Sequence, residues 1–378
     1  MPNARLNRWE DVGRRVALAR DRAGFTQRQL ADRLGLHRSA ITRVELGQRQ
    51  LDALELARIS DLLGRSVEWF LTETPSTIAS HRSDLSVGRD VERLEDELER
   101  TGRDVELLRD IGTLSVPAAS LQSGVTTLAE AEAEAGAIEA RTLLGHADGP
   151  LLDLQAAVER LGLLGFSLDL GPGVIDGGYV RVDDVGVALI NGTADPGRRR
   201  FNLAHELGHH LLADEYTTDF GLGTSPTDRE ALINAFAIHL LMPRSSIQSR
   251  WAELSREWES ARHRLIVLAA EYRISWSAAI SQAVTLELIS RSDFELLRTQ
   301  RPAAGDYIEV GVRFEEELRP VALPPAYSQA AVRAYRRGVI SADRAVELLR
   351  RTVTAEELPP PHETPLEALA TEFDDIGQ

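Results

Sequence analysis

The first 72 residues consist of short amphipathic segments separated by glycine and polar residues, a pattern typical of a bundle of short helices. Thr26 is a good N-cap for the second segment, Gly35 follows that segment, and Gly47 ends the third. The predicted helices are a first one through Val12–Ala19, then Gln27–Leu34, His37–Leu46, Leu51–Leu63 and Val67–Leu71. Residues 1–72 are therefore predicted to form an all-α head domain.

Residues 73–126 are predicted to be a linker followed by a helix. The polar stretch Thr72–Ser83 is typical of a linker. Apolar residues then recur every three or four positions among Glu and Arg, at Val87, Val91, Leu94, Leu98, Val105 and Leu108. Such a seam is typical of a coiled-coil helix and would form a homodimer contact. Because Thr101 and Gly102 interrupt it, packing against its own chain is the alternative interpretation.

The remaining chain predicts helices around a few strands, so the fold class is mainly α with a small β-sheet (α+β). Strands are expected at Gly165–Leu168, Tyr179–Val182 and Val185–Ile190. Helices are expected from Thr127, then at Asp153–Leu161, Arg199–Ala213, Arg229–Leu241, Ser328–Gly338 and Ser341–Thr352. We predict one domain over residues 127–297 and a helical C-terminal region over 298–378, whose acidic end, Glu356–Gln378, is expected to be poorly ordered.

Composition excludes several classes of site. The chain has no cysteine, which removes disulfides, thiolate metal sites and cysteine nucleophiles. No signal-peptide pattern or long apolar stretch is present, so we expect a cytoplasmic protein without a membrane span. The net charge is −16, yet residues 1–72 carry 13 Arg against 9 acidic residues. A basic head on an acidic body is typical of a modular DNA-binding protein.

The most informative segment is a His-Glu-x-x-His motif at His205, Glu206 and His209. On a helix this spacing places two imidazoles one turn apart, where both can bind one Zn²⁺, and Glu206 can take a proton from a water molecule as general base. The alternative is an amphipathic helix whose histidines are surface polar groups. The flanking residues are apolar, which indicates a core helix where histidines without partners are costly.

Two further features favour a metal site. Glu230 on a second predicted helix can supply a third ligand, and Asn234, one turn later, can hydrogen-bond a ligand. The apolar strand Val185–Ile190 precedes the motif, and a peptidase can bind a substrate backbone by strand addition there. The ligand types indicate zinc, although manganese or iron accepts the same set.

Two stretches resemble the signature of the ImmA/IrrE metallopeptidases. They are Phe201-Asn-Leu-Ala-His-Glu-Leu-Gly-His209 and Glu230-x-x-x-Asn234-x-Phe-Ala-x-x-Leu-Leu-Met-Pro243. The similarity runs from about Leu151 to Ile289, with Ile233 as a small departure where Ala is expected. The resemblance implies a minimal zincin-like peptidase that cleaves a transcriptional repressor during stress or mobile-element induction, with Glu230 as third ligand and Glu206 as general base.

Other residues near these motifs carry weaker expectations. His210 faces about 100° away from His209 and is expected in packing or at the surface. His239 lies on the same predicted helix as Glu230 but on a different face of it. One interpretation is that His239 lines the cleft. Tyr179 and Tyr216 are candidates for polarising a scissile carbonyl, without support from spacing.

The head resembles the Xre/Cro-type helix-turn-helix in the pattern Thr26-Gln27-x-x-Leu30-Ala31-x-x-Leu34-Gly35-x-x-Arg38-Ser39-x-Ile41-x-Arg43-x-Glu45-x-Gly47. The resemblance implies a recognition helix that reads double-stranded operator DNA. Its major-groove residues are expected to be His37, Arg38, Ser39, Thr42 and Arg43, with Gln27 on a phosphate. Glu45 is expected to be an internal salt-bridge or capping partner rather than a base reader. A module kept only for protein binding is the alternative.

Three functions follow from this sequence. The first is a DNA-binding regulator with a zinc endopeptidase that cleaves a protein partner, such as a repressor, or its own linker. The second is a regulator whose zinc domain is a sensor or interaction module without turnover. The third is the DNA-binding antitoxin of a toxin pair. An intact Glu206 favours the first, because a sensor needs no general base.

Overall fold

The computed structural model describes residues 8–65, 67–71, 77–78, 89–118, 121, 130–171, 176–212 and 226–361 of the 378-residue chain. Most of these residues are helical and one small sheet is present, so the predicted α+β class is confirmed. Across the described residues, the helices fall short of the length and apolarity that crossing a bilayer requires. Of the earlier predictions, Tyr216, Val87, most of Thr72–Ser83 and the tail from residue 362 lie outside the described residues.

The head is a bundle of five helices, α1 (Trp9–Arg22), α2 (Gln27–Leu34), α3 (Arg38–Glu45), α4 (Ala53–Leu63) and α5 (Val67–Leu71). Its core contains Val16, Leu30, Ile41, Ile59 and Phe70, all fully buried. The bounds of α2 agree with the prediction because Thr26 and Gln29 form a capping box and Gly35 ends the helix with a left-handed backbone.

The rest of the chain contains four strands and twelve further helices among the described residues. The strands are β1 (Thr77–Ile78), β2 (Leu163–Leu168), β3 (Gly177–Val182) and β4 (Val185–Asn191). The helices up to the metal motif are α6 (Arg89–Asp110), α7 (Glu130–Leu143), α8 (Leu154–Arg160) and α9 (Pro196–Leu212). The later ones are α10 (Pro226–Leu241), α11 (Arg244–Leu254), α12 (Ala261–Glu271), α13 (Trp276–Thr285), α14 (Arg291–Leu297), α15 (Ala304–Glu309), α16 (Pro325–Arg336) and α17 (Ala342–Leu348).

The sheet has the strand order β1-β3-β4-β2. β4 is parallel to β2 and antiparallel to β3, and β1 pairs antiparallel with β3. The prediction that Val185–Ile190 receives a substrate backbone is therefore wrong, because β4 already has a hydrogen-bonded neighbour on each side. Periodicity identifies a buried strand but does not say whether the strand lies at an edge.

Two hydrophobic cores lie on the two faces of the sheet. Tyr179, Ala188 and Leu163 face the core built with α7, α9, α10 and α12. Val180, Val187 and Phe166 face the second core, which α6, α16 and α17 complete. The sheet is thus covered by helices on both faces, which explains why all three longer strands are buried almost throughout.

The apolar seam of α6 packs inside its own chain. Leu94, Leu98, Val105 and Leu108 are at most 1% exposed and belong to the second core, against β3 and β4. Gly102, which interrupts the seam, lies over Val180 and Val182 of the sheet. The interpretation of own-chain packing is confirmed, and these four residues are not available as a dimer contact.

Candidate metal centre and DNA-binding surface

α9 is a core helix that the surrounding chain holds at its N-terminal end. Arg199 donates to Ala194 O and Glu317 O, both at 2.9 Å, and pairs with Glu316 at 3.1 Å. Arg200, 1% exposed, pairs with Glu317 and donates to Leu151 O at 2.6 Å. The sequence analysis did not predict these contacts between α9 and residues 316–317. The acidic run at 315–317 was the one signal in the sequence that pointed to them.

A close approach between α9 and α10 brings the predicted ligands together. A Cβ at Gly208 would lie 2.9 Å from Ile233 Cγ2 and 3.1 Å from Phe236 Cδ1, so a larger residue would push the two helices apart. α10 carries Glu230, and α9 carries His205 and His209. The absence of a side chain at residue 208 therefore sets how closely the carboxylate approaches the two imidazoles.

The three ligand atoms form a compact triangle. His205 Nε2 lies 3.1 Å from His209 Nε2 and 3.3 Å from Glu230 Oε2, and His209 Nε2 lies 3.5 Å from Glu230 Oε1. Metal–ligand bonds of about 2.0–2.1 Å around a tetrahedral ion place neighbouring ligand atoms about 3.3 Å apart. These residues therefore fit a zinc ion, and the group is the kind that can hold a metal.

The two imidazoles are buried, whereas the carboxylate side is open. His205 and His209 are 2% and 5% exposed, but the side chain of Glu230 is 40% exposed. Burial, with a smaller contribution from His205, lowers the pKa of His209 to about 4, although Glu230 opposes this shift. His209 is consequently neutral at physiological pH, which is the form that binds a metal.

Asn234 contacts the first ligand, as its spacing from Glu230 predicts. Its Oδ1 lies 3.0 Å from His205 Nδ1. When Nδ1–H donates to this amide oxygen, the lone pair of Nε2 is directed at the centre of the ligand triangle. Glu206 is 3% exposed and follows His205 directly on α9. Its assignment as general base stays a prediction.

The other candidate side chains take different places. His210 is buried, and its Nδ1 lies 2.9 Å from the hydroxyl of Tyr179. A Cβ at Gly186 would lie 2.6 Å from that same Nδ1, so the glycine makes room for this pair under the sheet. Tyr179 is thus engaged on a side of α9 about 100° from His209. His239 is buried and is not part of the His–His–Glu group.

The head presents an exposed surface on α3. His37, Arg38, Ser39 and Arg43 are exposed, at the start of α3 and on its outer side. This agrees with where a recognition helix presents side chains to the major groove. The assignment of these residues to DNA contacts stays a prediction.

Gln27 and Thr42, also predicted to contact DNA, belong to a side-chain network within the head. Thr42 Oγ1 donates to Gln27 Oε1 at 3.2 Å, and Gln27 Nε2 donates to Glu45 at 2.7 Å. Glu45 in turn pairs with Arg20 at 2.5 Å, which confirms the predicted internal salt bridge. This pairing raises the pKa of Arg20, despite its partial burial. The network ties α1, α2 and α3 together beneath the exposed surface.

The head docks on α6 through charged residues. Arg22 pairs with Glu95 at 2.7 Å and Asp96 at 3.0 Å, and Arg65 also pairs with Asp96. The indole of Trp69 donates to Glu99. These contacts come from α1, α5 and the segment between α4 and α5, so they leave the outer side of α3 accessible.

Two family models match this chain, in separate regions. Residues 158–280 match the IrrE N-terminal-like domain, and residues 16–70 match the helix-turn-helix. The first match contains the whole ligand group and α9. The second contains every residue of the exposed α3 surface. No curated protein matches the chain.

Proposed function

We propose that this chain, a fusion of an Xre-type helix-turn-helix DNA-binding domain with an ImmA/IrrE-type peptidase-family domain, is a transcriptional regulator that cleaves a protein partner with zinc. The observation that carries the proposal is the triangle of His205, His209 and Glu230, with sides of 3.1 to 3.5 Å. It is an open His₂Glu set, which is typical of catalytic zinc.

The chain's own residues have distinct tasks in this reaction. A zinc ion held by the three ligands supplies Lewis acidity towards the scissile carbonyl and the attacking water. Glu206 accepts a proton as the water attacks the carbonyl carbon, and it returns that proton to the leaving amine when the C–N bond breaks. Asn234 keeps His205 oriented. The buried setting of Glu206 keeps bulk water away from the proton it carries.

The substrate that we propose is a transcriptional repressor, in a stress or mobile-element response. Support comes from the head, whose exposed α3 would place the peptidase at an operator where repressors bind. The resemblance to ImmA/IrrE peptidases points to the same class of substrate. A cytoplasmic location and a homodimer on a two-half-site operator are parts of this proposal.

Metal analysis of the purified chain tests the ligand set first. We expect about one zinc per chain, and loss of that zinc in His205→Ala and Glu230→Ala, since each removes one ligand. His146→Ala is the matched control, because His146 is an exposed histidine outside the ligand group. A wild-type chain that holds no metal after zinc is supplied would contradict the proposal.

Glu206→Gln then separates binding from turnover. This variant is expected to keep its zinc and its DNA affinity but to trap an uncut partner protein on operator DNA. Cleavage of that partner by the wild-type chain, and not by Glu206→Gln, supports the endopeptidase. Intact DNA binding without any cleavage would instead favour a regulator or antitoxin whose zinc domain lacks turnover.

A further inference from the structure

An open cavity of about 890 Å³ lies between α6 and α17, away from the metal centre and the outer side of α3. Its size is in the range of cavities that hold small molecules. Its lining is almost entirely polar and contains four arginines, Arg100, Arg344, Arg350 and Arg351, against two carboxylates, Asp343 and Glu347. The cavity therefore has an excess of positive charge and suits an anion.

Two of these arginines are held in place by a buried carboxylate on α6. Asp104 is 3% exposed and accepts a hydrogen bond from Arg344 at 2.7 Å and another from Arg350 at 2.9 Å. Arg350 also donates to Thr101 Oγ1 at 2.9 Å, and its side chain is 8% exposed. Guanidinium groups that are already fixed lose little conformational entropy when a ligand binds, so this side of the cavity is pre-organised.

The end of α17 places arginines where glycine is usual. The N–H of Arg350 donates to Glu347 O and the N–H of Arg351 donates to Val346 O, which is the hydrogen-bond pattern of a Schellman motif. Arg350 has a left-handed backbone with φ 51°, and Arg351 follows with φ 57°. Glycine takes the first of these positions most often, because a side chain strains this conformation. Two arginines kept here against the backbone preference indicate a use for their side chains.

The ion pairs around the cavity leave guanidinium groups accessible. Arg344 donates to Glu347 at 2.7 Å, whereas Arg100 reaches the same carboxylate only at 3.4 Å and is 45% exposed. Arg351 is exposed and forms no ion pair within the part of the chain that the structure describes. A network that served only to fasten α17 to α6 would not require Arg351. Arg100 and Arg351 are therefore available to an anion in the cavity.

The composition of the lining narrows the class of anion. Guanidinium groups bind phosphate oxygens through paired, charge-assisted hydrogen bonds. Ser341, Asp343 and Glu347 offer oxygen atoms to hydroxyl groups, and the described lining has no aromatic ring on which a nucleobase could stack.

We propose that this cavity binds a phosphorylated sugar, whose phosphate groups contact Arg100 and Arg351 and whose hydroxyl groups face the oxygen atoms of α17. The site does not depend on the proposed peptidase, because none of the three metal ligands lines the cavity.

Isothermal titration calorimetry of the full-length, zinc-loaded chain with fructose bisphosphate tests the site. Inorganic phosphate and fructose are the matched probes, since each carries one half of the chemistry. We expect fructose bisphosphate to bind and fructose to give no heat of binding. Inorganic phosphate should bind about 10-fold more weakly or less, because it lacks the contacts of the sugar hydroxyl groups.

Two variants assign the binding to the arginines. Arg351→Asn removes a charge but keeps a residue that tolerates a left-handed backbone, and Arg100→Gln keeps a good helix former on α6. Each should weaken the binding of fructose bisphosphate about 10-fold or more, because a hydrogen bond to a charged group is lost. Arg301→Ala is the matched control, since Arg301 is exposed and lies outside the cavity. The ligand should raise the Tm of the wild-type chain and of this control more than that of the two variants.

The absence of any heat of binding with the wild-type chain would overturn the inference, and so would wild-type affinity in both arginine variants. Inorganic phosphate that binds as tightly as fructose bisphosphate would refute a sugar as the ligand. Operator DNA is the other source of phosphate groups. If the two variants lose affinity for DNA while the wild-type chain does not bind fructose bisphosphate, the arginines contact DNA and the inference is wrong.

Discussion

The head and the metal centre place their functional groups in opposite environments. Arg38 and Arg43 lie exposed on α3, whose inner side packs in the core of the head. His205 and His209 are instead buried on α9, inside the domain that contains the sheet. Buried polar groups persist only where partners satisfy them, so packing and chemistry together constrain the metal centre. The exposed surface has no such constraint, and its residues can change without affecting the fold.

The largest expected effect is on turnover at the buried site. Glu206→Gln should lower the rate of cleavage by about 10²- to 10⁴-fold, because it removes the proton acceptor. Zinc content and DNA affinity should stay at wild-type values. Single-turnover assays with the captured partner measure the rate, and wild-type cleavage by this variant would refute the assignment of the general base.

The next effect is on the stability of the head. Glu45→Ala leaves Arg20 without its main partner, and breaking a largely buried pair costs about 3 kcal/mol. Thermal unfolding should show a destabilised head, while the zinc site keeps its metal. Glu10→Ala is the control, since the ion pair of Glu10 with Arg8 is exposed and 3.6 Å long. If both variants unfold alike, the network beneath α3 is not what stabilises the head.

The smallest effect is expected from the exposed surface. Arg38→Ala and Arg43→Ala should each weaken operator binding by about 1–3 kcal/mol if they contact bases, without changing stability. Gel-shift titrations on a selected operator measure this loss, with Arg58→Ala on α4 as a control. Unchanged affinity of the Arg38/Arg43 double variant for the operator would show that α3 is not the recognition helix. The contrast between an exposed binding surface and a buried site would then not hold.

Local signals predicted much of this molecule. The bounds of α2 followed from Thr26 and Gly35, whose effects are confined to one turn of helix. The spacing of His205, His209 and Glu230 predicted one group, and the structure brings their ligand atoms within 4.8 Å of one another. The capping signals and the spacing of His205 and His209 act within one or two helical turns, so a sequence reveals them. Glu230, on a second helix, was supported by the resemblance of its segment to a known signature.

Long-range pairing could not be predicted. The interior position of β4 depends on β2 and β3, and nothing within β4 itself encodes it. The ion pair between Arg200 and Glu317 joins residues 117 positions apart. Gln27 Nε2 donates to Glu45, 18 positions away along the chain, a contact that the local sequence did not indicate. The contact of Gln27 with a phosphate stays a prediction. These contacts depend on which helices and strands pack together in the fold, and the periodicity of a single segment carries no information about that.

The docking of the head on α6 has a consequence for how such chains are shortened or recombined. A fragment expressed without the head would leave Glu95 and Asp96 without the arginines that now pair with them, and Glu99 without the indole that now donates to it. The isolated head would leave the indole N–H of Trp69 without Glu99. Grafting an unrelated head onto α6 would therefore require that head to bring its own arginines and a hydrogen-bond donor for Glu99.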